Sequence, residues 1–273
     1  MKLTDTTSNF AQLDGMNVHF TRAGSGPFIV LLHGSGASLH IFDDITQRLI
    51  TRFEVIRIDL PGFGVTGPRP DRDYSMGAYV SMLWKFLDAH VPGEFILAGH
   101  SFGGQIAWTY ALMQPARLRG LVLMNATGYP DKTVPLIMRL ARVPLLRPVI
   151  RRLGSRGATA RNLSGLVGPG STAVDDVMVD RVHFLTSSPG GRDTFIDFAN
   201  TDQPDRSAEI GHITTPTLVL SSDLVDGQHF ARDIPGSRDV RLPGIGHLMP
   251  AEAPRVVSDA IDDFASNLAF GEA

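Results

Sequence analysis

The chain contains no cysteine. Disulfides, thiolate nucleophiles and cysteine-ligated metals are therefore excluded. It also lacks any uninterrupted apolar run near the ~18 residues needed to cross a bilayer. The opening stretch "MKLTDTTSNFAQLDG" has no apolar segment of signal-peptide length. No stable membrane insertion is expected, and a cytoplasmic location is the default reading. A charge excess is missing as well: 25 Lys and Arg stand against 28 Asp and Glu, a formal net charge of -3. Nothing in that balance points to nucleic acid. Repeats and low-complexity tracts are absent. What remains is ordinary for a globular chain: 273 residues, 43% apolar and 19% charged, enough to bury a full core.

Several short apolar runs are bounded by turn residues. "FAQLDGMNVHFTRAG" reads as two strands around Asp14-Gly15, a strong hairpin signal. "PFIVLLHG", "FEVIRIDLPG", "EFILAG", "LRGLVLMNA", "PTLVLSS" and "DVRLPG" follow. The continuously apolar ones suit strands of a mainly parallel sheet covered on both faces. Helical patterns lie between them. Met76, Tyr79, Val80, Leu83 and Leu87 share one face, with Ser75 placed as N-cap. A helix is expected over Gln105–Met113, stopped by Pro115, and "APRVVSDAIDDFASNL" predicts an amphipathic C-terminal helix. The alternation predicts an α/β fold: a mostly parallel central sheet of about eight strands flanked by helices. Residues 129–212 break the alternation, being helix-like, split by Pro and Gly, and without a convincing strand. They are read as a helical cap or lid inserted in a core domain made of 1–128 and 213–273.

"LAGHSFGGQIAW" places G-x-S-x-G between a strand and a helix, the context of a nucleophile elbow. Gly99, Gly103 and Gly104 supply the small flanks of a tight turn, which pushes the Ser101 hydroxyl out at the strand end. "LLHGSG" follows the first buried strand. Its His33-Gly34 turn brings main-chain donors near Ser101, and the N–H groups of Ser35 and Phe102 are the candidate oxyanion donors. His33 precedes the nucleophile in the chain and is read as a turn-fixing residue. The base is expected late, and His247, in the Gly-rich loop "LPGIGHLMP", meets that requirement.

The stretches 28–36, 54–64, 94–104, 121–125, 215–222 and 239–250 together resemble the α/β-hydrolase family, in particular its cap-bearing serine hydrolases. The resemblance implies the chain order Ser, then Asp or Glu, then His, with Ser101 as nucleophile and His247 as base. The acid position departs from the family pattern. Five residues after Leu220, where the family's acid usually stands, this chain has Val225, flanked by Asp223 and Asp226. Asp223 is favoured, with Asp226 as the alternative. The position near Asn125, where some relatives carry the acid, is neutral here.

A serine at the elbow argues against dehalogenases and epoxide hydrolases, whose resemblance would require Asp there. Cleavage of a carboxylic ester of a small to medium, hydrophobic substrate is the expected activity. Carbon–carbon bond hydrolysis, acyl transfer, and a non-catalytic receptor on the same scaffold are the alternatives. No cofactor and no metal are implied. Seven arginines fall between 139 and 161, and no Asp or Glu occurs from Lys132 to Val174. This basic run is read as a solvated face, with an acidic ligand or carrier protein, or an anionic membrane surface, as sharper readings. The interleaved Ile137, Met138, Leu140, Leu145, Leu146, Val149 and Ile150 are expected in the core or lining a pocket.

Overall fold

A computed structural model describes residues 2–131, 133, 136–147 and 154–270. Eight strands form one sheet: β1 (Ser8–Leu13), β2 (Met16–Gly24), β3 (Phe28–Leu32), β4 (Glu54–Ile58), β5 (Phe95–His100), β6 (Leu118–Met124), β7 (Thr217–Ser221) and β8 (Arg238–Arg241). Their order is β1-β2-β4-β3-β5-β6-β7-β8. β2 pairs antiparallel with β1 and β4, and every other pairing is parallel. The mostly parallel eight-stranded sheet expected from the apolar runs is thus present. Asp14 and Gly15 take φ of 51° and 74°, the left-handed pair that a two-residue hairpin turn needs to match strand twist.

The apolar runs carry two cores at once. Along β3, Val30 and Leu32 face one cluster, while Ile29 and Leu31 face another on the opposite side of the sheet. Side chains alternate across a strand, so a sheet covered on both faces requires apolar residues at every position. The first cluster is roofed by α2 (Met76–His90) and α3 (Phe102–Ala111), through Tyr79, Leu83, Phe86, Phe102 and Ile106. The second is closed by α1 (Asp43–Leu49) and the C-terminal helix Pro254–Ser266, through Ile45, Leu49, Val257, Ile261 and Phe264. Ser75 caps α2 by accepting a hydrogen bond from Ala78 N–H. Helix α3 differs from its expected span at both ends. It starts directly after Ser101 and finishes before Pro115, because Gln114 adopts φ of 48°. A left-handed residue ends a helix before a proline is reached.

Between β6 and β7 the described residues hold helices and no strand. These are α4 (Leu136–Ala141), α5 (Arg156–Ser164), α6 (Asp176–Ser187) and α7 (Pro189–Asn200). Ser155, Asp175 and Ser188 cap the last three by accepting main-chain N–H bonds. The inner face of α7 enters the first core: Phe198 packs edge-on against Phe102 at 4.8 Å and Phe63 at 5.5 Å between ring centres. For the apolar residues of the basic run the expectation holds in part: Met138 packs against the first core and Ile137 lines a cavity. Leu145 is 88% exposed, and Leu140 and Ile137 are also exposed; Val149 and Ile150 lie outside the described residues. Their helix is short and broken at Pro144, so it never presents a continuous face to the core. Two arginines of the basic run find acids from elsewhere in the chain. Arg142 pairs with Asp202, and Arg156 with Asp176 and Asp180.

Candidate active site

The turn after β5 reverses direction at one residue. Ser101 has φ 54° and ψ -118°, a region costing a non-glycine residue on the order of 1–3 kcal/mol. Surrounding contacts hold it there. Ser101 N–H donates to the Met124 carbonyl at 2.9 Å, and its own carbonyl accepts from Gln105 and Thr127 N–H at 3.1 Å each. The flanking glycines are dictated by close packing. A Cβ on Gly103 would lie 2.2 Å from the Leu32 carbonyl oxygen, and one on Gly99 would lie 2.3 Å from that of Gly103. Both obstacles are backbone, so neither can yield cheaply. Phe102 opens α3, and its N–H therefore has no intrahelical carbonyl to bond.

The turn after β3 packs against the same serine. A Cβ on Gly34 would lie 2.9 Å from Ser101 Cβ and 3.4 Å from its Oγ. Ser35 is the next residue, and Ala37 N–H closes the turn onto the Gly34 carbonyl. His33 is wholly buried and stitches this turn to the one after β4. Its Nδ1–H donates to Gly34 O at 2.7 Å, and its Nε2 accepts from Leu60 N–H at 3.0 Å. Burial lowers its pKa, with Asp59 and the Gly34 carbonyl opposing, so the neutral ring is favoured. Asp59 is equally buried and anchors the β4 end. It accepts from His19 Nδ1 at 2.8 Å, Leu39 N–H at 2.7 Å and Val65 N–H at 2.8 Å. Burial alone would raise the Asp59 pKa, but the His19 bond, the nearby His33 and the two amides bring it below the usual value.

His247 reaches Ser101 from the far end of the chain, its Nε2 standing 2.9 Å from the serine Oγ. Its loop is held from four directions. His247 N–H donates to the Leu166 carbonyl. The His247 carbonyl accepts from His100 Nε2 at 2.7 Å and from Asn125 Nδ2 at 3.3 Å. Asn125 also donates to Gly246 O at 3.1 Å and accepts from Ser222 N–H at 3.1 Å. Glu252 accepts from Gly246 N–H at 2.8 Å and from Gly168 N–H at 2.9 Å, tying the loop to the insertion. Asn125, Glu252 and His100 were not legible as loop holders. Only Asn125 carried a signal, since Asn at a strand end tolerates the left-handed φ of 44° found there.

Both candidate carboxylates lie just after β7 and are exposed. Asp223 accepts from Gly244 N–H at 2.8 Å, three residues before His247 on the same loop. Asp226 accepts from the Thr133 N–H at 3.0 Å and from the Thr133 hydroxyl. The arrangement therefore unites a strained serine, an imidazole and two backbone turns at the carboxyl end of the parallel strands, where open α/β sheets place their ligand sites. Among the described residues, no cluster of His, Asp and Glu could hold a metal, and no helix is long and apolar enough to cross a membrane.

Comparison with known proteins agrees with this architecture. Residues 27–154 match the family model described as alpha/beta hydrolase fold. An uncharacterised hydrolase of Bacillus subtilis, YugF, is 26% identical over 262 residues, covering 92% of this chain and 95% of the relative. A pimeloyl-[acyl-carrier protein] methyl ester esterase of Nitrosomonas europaea is 33% identical over 138 residues, and the match spans 46% of this chain and 52% of that one. Among solved structures, a thermophilic esterase from Thermogutta terrifontis superposes with a TM-score of 0.76 at 26% identity, covering 92% of this chain and 93% of that one.

Proposed function

Since the chain belongs to the α/β-hydrolase fold family, we propose that it is a serine hydrolase that cleaves a carboxylic ester through an acyl-enzyme. The carrying observation is the 2.9 Å approach of His247 Nε2 to Ser101 Oγ, made by residues far apart in sequence at the one strained turn where a hydroxyl is presented. Ser101 Oγ–H donates to Nε2. As the oxygen attacks the ester carbonyl, the imidazole takes the proton. The N–H groups of Ser35 and Phe102 receive the developing oxyanion, each worth about 3 kcal/mol of barrier in sites of this kind. The C–O bond to the alcohol breaks, and the alcohol leaves with the proton from Nε2. A water then gives its proton to the same nitrogen and attacks the acyl carbon. Collapse of the second intermediate frees the acid and restores Ser101.

Asp223 is assigned as the acid that orients the imidazole and stabilises its charged form. Its bond to Gly244 N–H supports the assignment, because that bond ties the loop after β7 to the loop that carries His247. The insertion 129–212 acts as the cap, and the two esterases among the similar proteins support an ester substrate. A fluorophosphonate probe tests the reading: wild type is expected to carry one adduct on Ser101, and Ser101→Ala none. An unlabelled folded protein would overturn it. Asp223→Asn is expected to lower kcat on p-nitrophenyl butyrate by about 10⁴-fold; a larger loss in Asp226→Asn transfers the role to that residue.

A further inference from the structure

A cavity of about 200 Å³ opens between the insertion and the sheet. It begins at Gly36 and Ala37, just beyond the turn that packs on Ser101, and passes Phe63 before reaching Ser188 and Arg192 of the α7 start. Ser101 and His247 are not part of its lining, so it flanks the reacting centre instead of enclosing it. Arg192 is the one charged side chain that lines it among the described residues.

Arg192 differs from the other arginines of the insertion. Arg142 and Arg156 have carboxylate partners, and Arg181 faces Asp43 at 3.7 Å. No ion pair or side-chain hydrogen bond engages Arg192 among the described residues. Its neighbours at helical spacing, Ser188, Phe195 and Ile196, carry no charge. Among the described residues Arg139, Arg147 and Arg161 lack carboxylate partners too, but Arg139 and Arg161 are exposed, and half-buried Arg147 donates to the Asn200 amide oxygen at 2.7 Å. Arg192 is half-buried. It sits in the first turn of α7, where the helix dipole disfavours a cation, so it is not there to stabilise the helix. A guanidinium keeps its charge under all ordinary conditions, and taking it partly out of water without an anion is costly.

We propose that this cavity is a carboxylate subsite with Arg192 as its recognition residue, so that the preferred substrate is an ester bearing a second, ionised carboxyl group. The inference rests on the serine-hydrolase reading and adds the substrate class to it. The scissile carbonyl sits at Ser101, the apolar linker runs past Phe63, and the distal carboxylate meets the planar N–H fork of Arg192, which suits two-pronged binding.

The test compares mono-p-nitrophenyl adipate, which ends in a carboxylate, with neutral p-nitrophenyl hexanoate at pH 7.5. Wild type is expected to favour the adipate by about tenfold or more in kcat/KM. Arg192→Gln should bring that ratio near one, mainly through KM. Arg192→Lys should keep part of it, because the charge remains while the fork is lost. Arg161→Gln, outside the cavity, should leave the ratio in place. A wild type without preference, an Arg192→Gln protein that keeps it, or an equal loss in Arg161→Gln each overturns the inference. A second readout needs no turnover: monomethyl adipate is titrated calorimetrically into Ser101→Ala, with and without Arg192→Gln. Binding weakened about tenfold by Arg192→Gln supports the subsite, and no binding to either protein refutes it. If the fluorophosphonate leaves Ser101 unlabelled, the hydrolase reading fails while the titration still decides the subsite.

Discussion

Asn125→Asp changes one atom and should convert a stabilising contact into a pH-dependent liability. Asn125 is completely buried. Its Nδ2 donates to the carbonyls of Gly246 and His247 at 3.1 and 3.3 Å, while its Oδ1 accepts from Ser222 N–H. In the aspartate the second oxygen replaces the amide nitrogen and faces those two carbonyl oxygens. An ionised carboxylate is repelled there, so its pKa rises. Taking a rise of about two units from the usual ~3.9, the cost in the ionised state is about 2.7 kcal/mol. The protonated acid can donate to only one of the two carbonyls, and the lost bond adds about 1 kcal/mol at any pH. The folded variant holds its proton more tightly than the unfolded chain. The penalty is therefore full well above pH 6 and shrinks as pH falls toward 4. Relative to wild type, urea unfolding should show a loss of about 4 kcal/mol at pH 8 and about 2.5 kcal/mol at pH 5. A loss independent of pH, or one that grows on acidification, would refute the reasoning and with it the amide orientation on which it depends.

Gly103→Ala places a methyl 2.2 Å from a main-chain oxygen, so a loss of about 3 kcal/mol is expected in thermal unfolding; a midpoint unchanged within a degree would contradict the packing. Glu252→Ala strips the acceptor from two main-chain N–H groups, one beside His247. Stability should fall by about 2 kcal/mol and kcat on p-nitrophenyl butyrate by at least tenfold; intact turnover would show that the base loop needs no such tether. Acid titration of the wild type should reveal two windows. Buried His33 has a lowered pKa, so below about pH 6.5 the unfolded chain gains a proton that the native state refuses. Stability is then lost by at most about 1.4 kcal/mol per pH unit from this group. Asp59, also lowered, contributes stability that is present above about pH 4 and lost below it. His33→Gln should shrink the upper window, to which His40 and His90 also contribute through their lowered pKa values, and weaken the lower one by removing the pull of His33 on Asp59, as read from urea midpoints across pH.

Much of the active centre could be read from local text. G-x-S-x-G after an apolar run specifies a strand, a tight turn and a helix, because only glycines fit against the neighbouring backbone at 99 and 103. Asp14-Gly15 specifies the first hairpin for a similar local reason. The runs that are apolar at every position required a sheet covered on both faces, and the two cores on either side of β3 follow from that requirement. Leu140 and Leu145 of the basic run are exposed against expectation, since periodicity does not say whether a helix broken by proline finds a neighbour to bury its face.

What chain order and residue type determined were the fold class, the tight serine turn and the pairing of that serine with a late histidine. Tertiary structure alone decided what holds that histidine and what lines the neighbouring cavity. Asn125 and Leu166 reach the 246–247 loop from two distant connections, and Glu252 ties the same loop to Gly168 of the insertion. Arg192 lines a cavity whose other walls come from the turns after β3 and β4 and from α4, α5 and α6. Such contacts join residues tens to more than a hundred positions apart. They depend on how helices and loops pack over the sheet edge, and no local pattern of hydrophobicity or spacing records that.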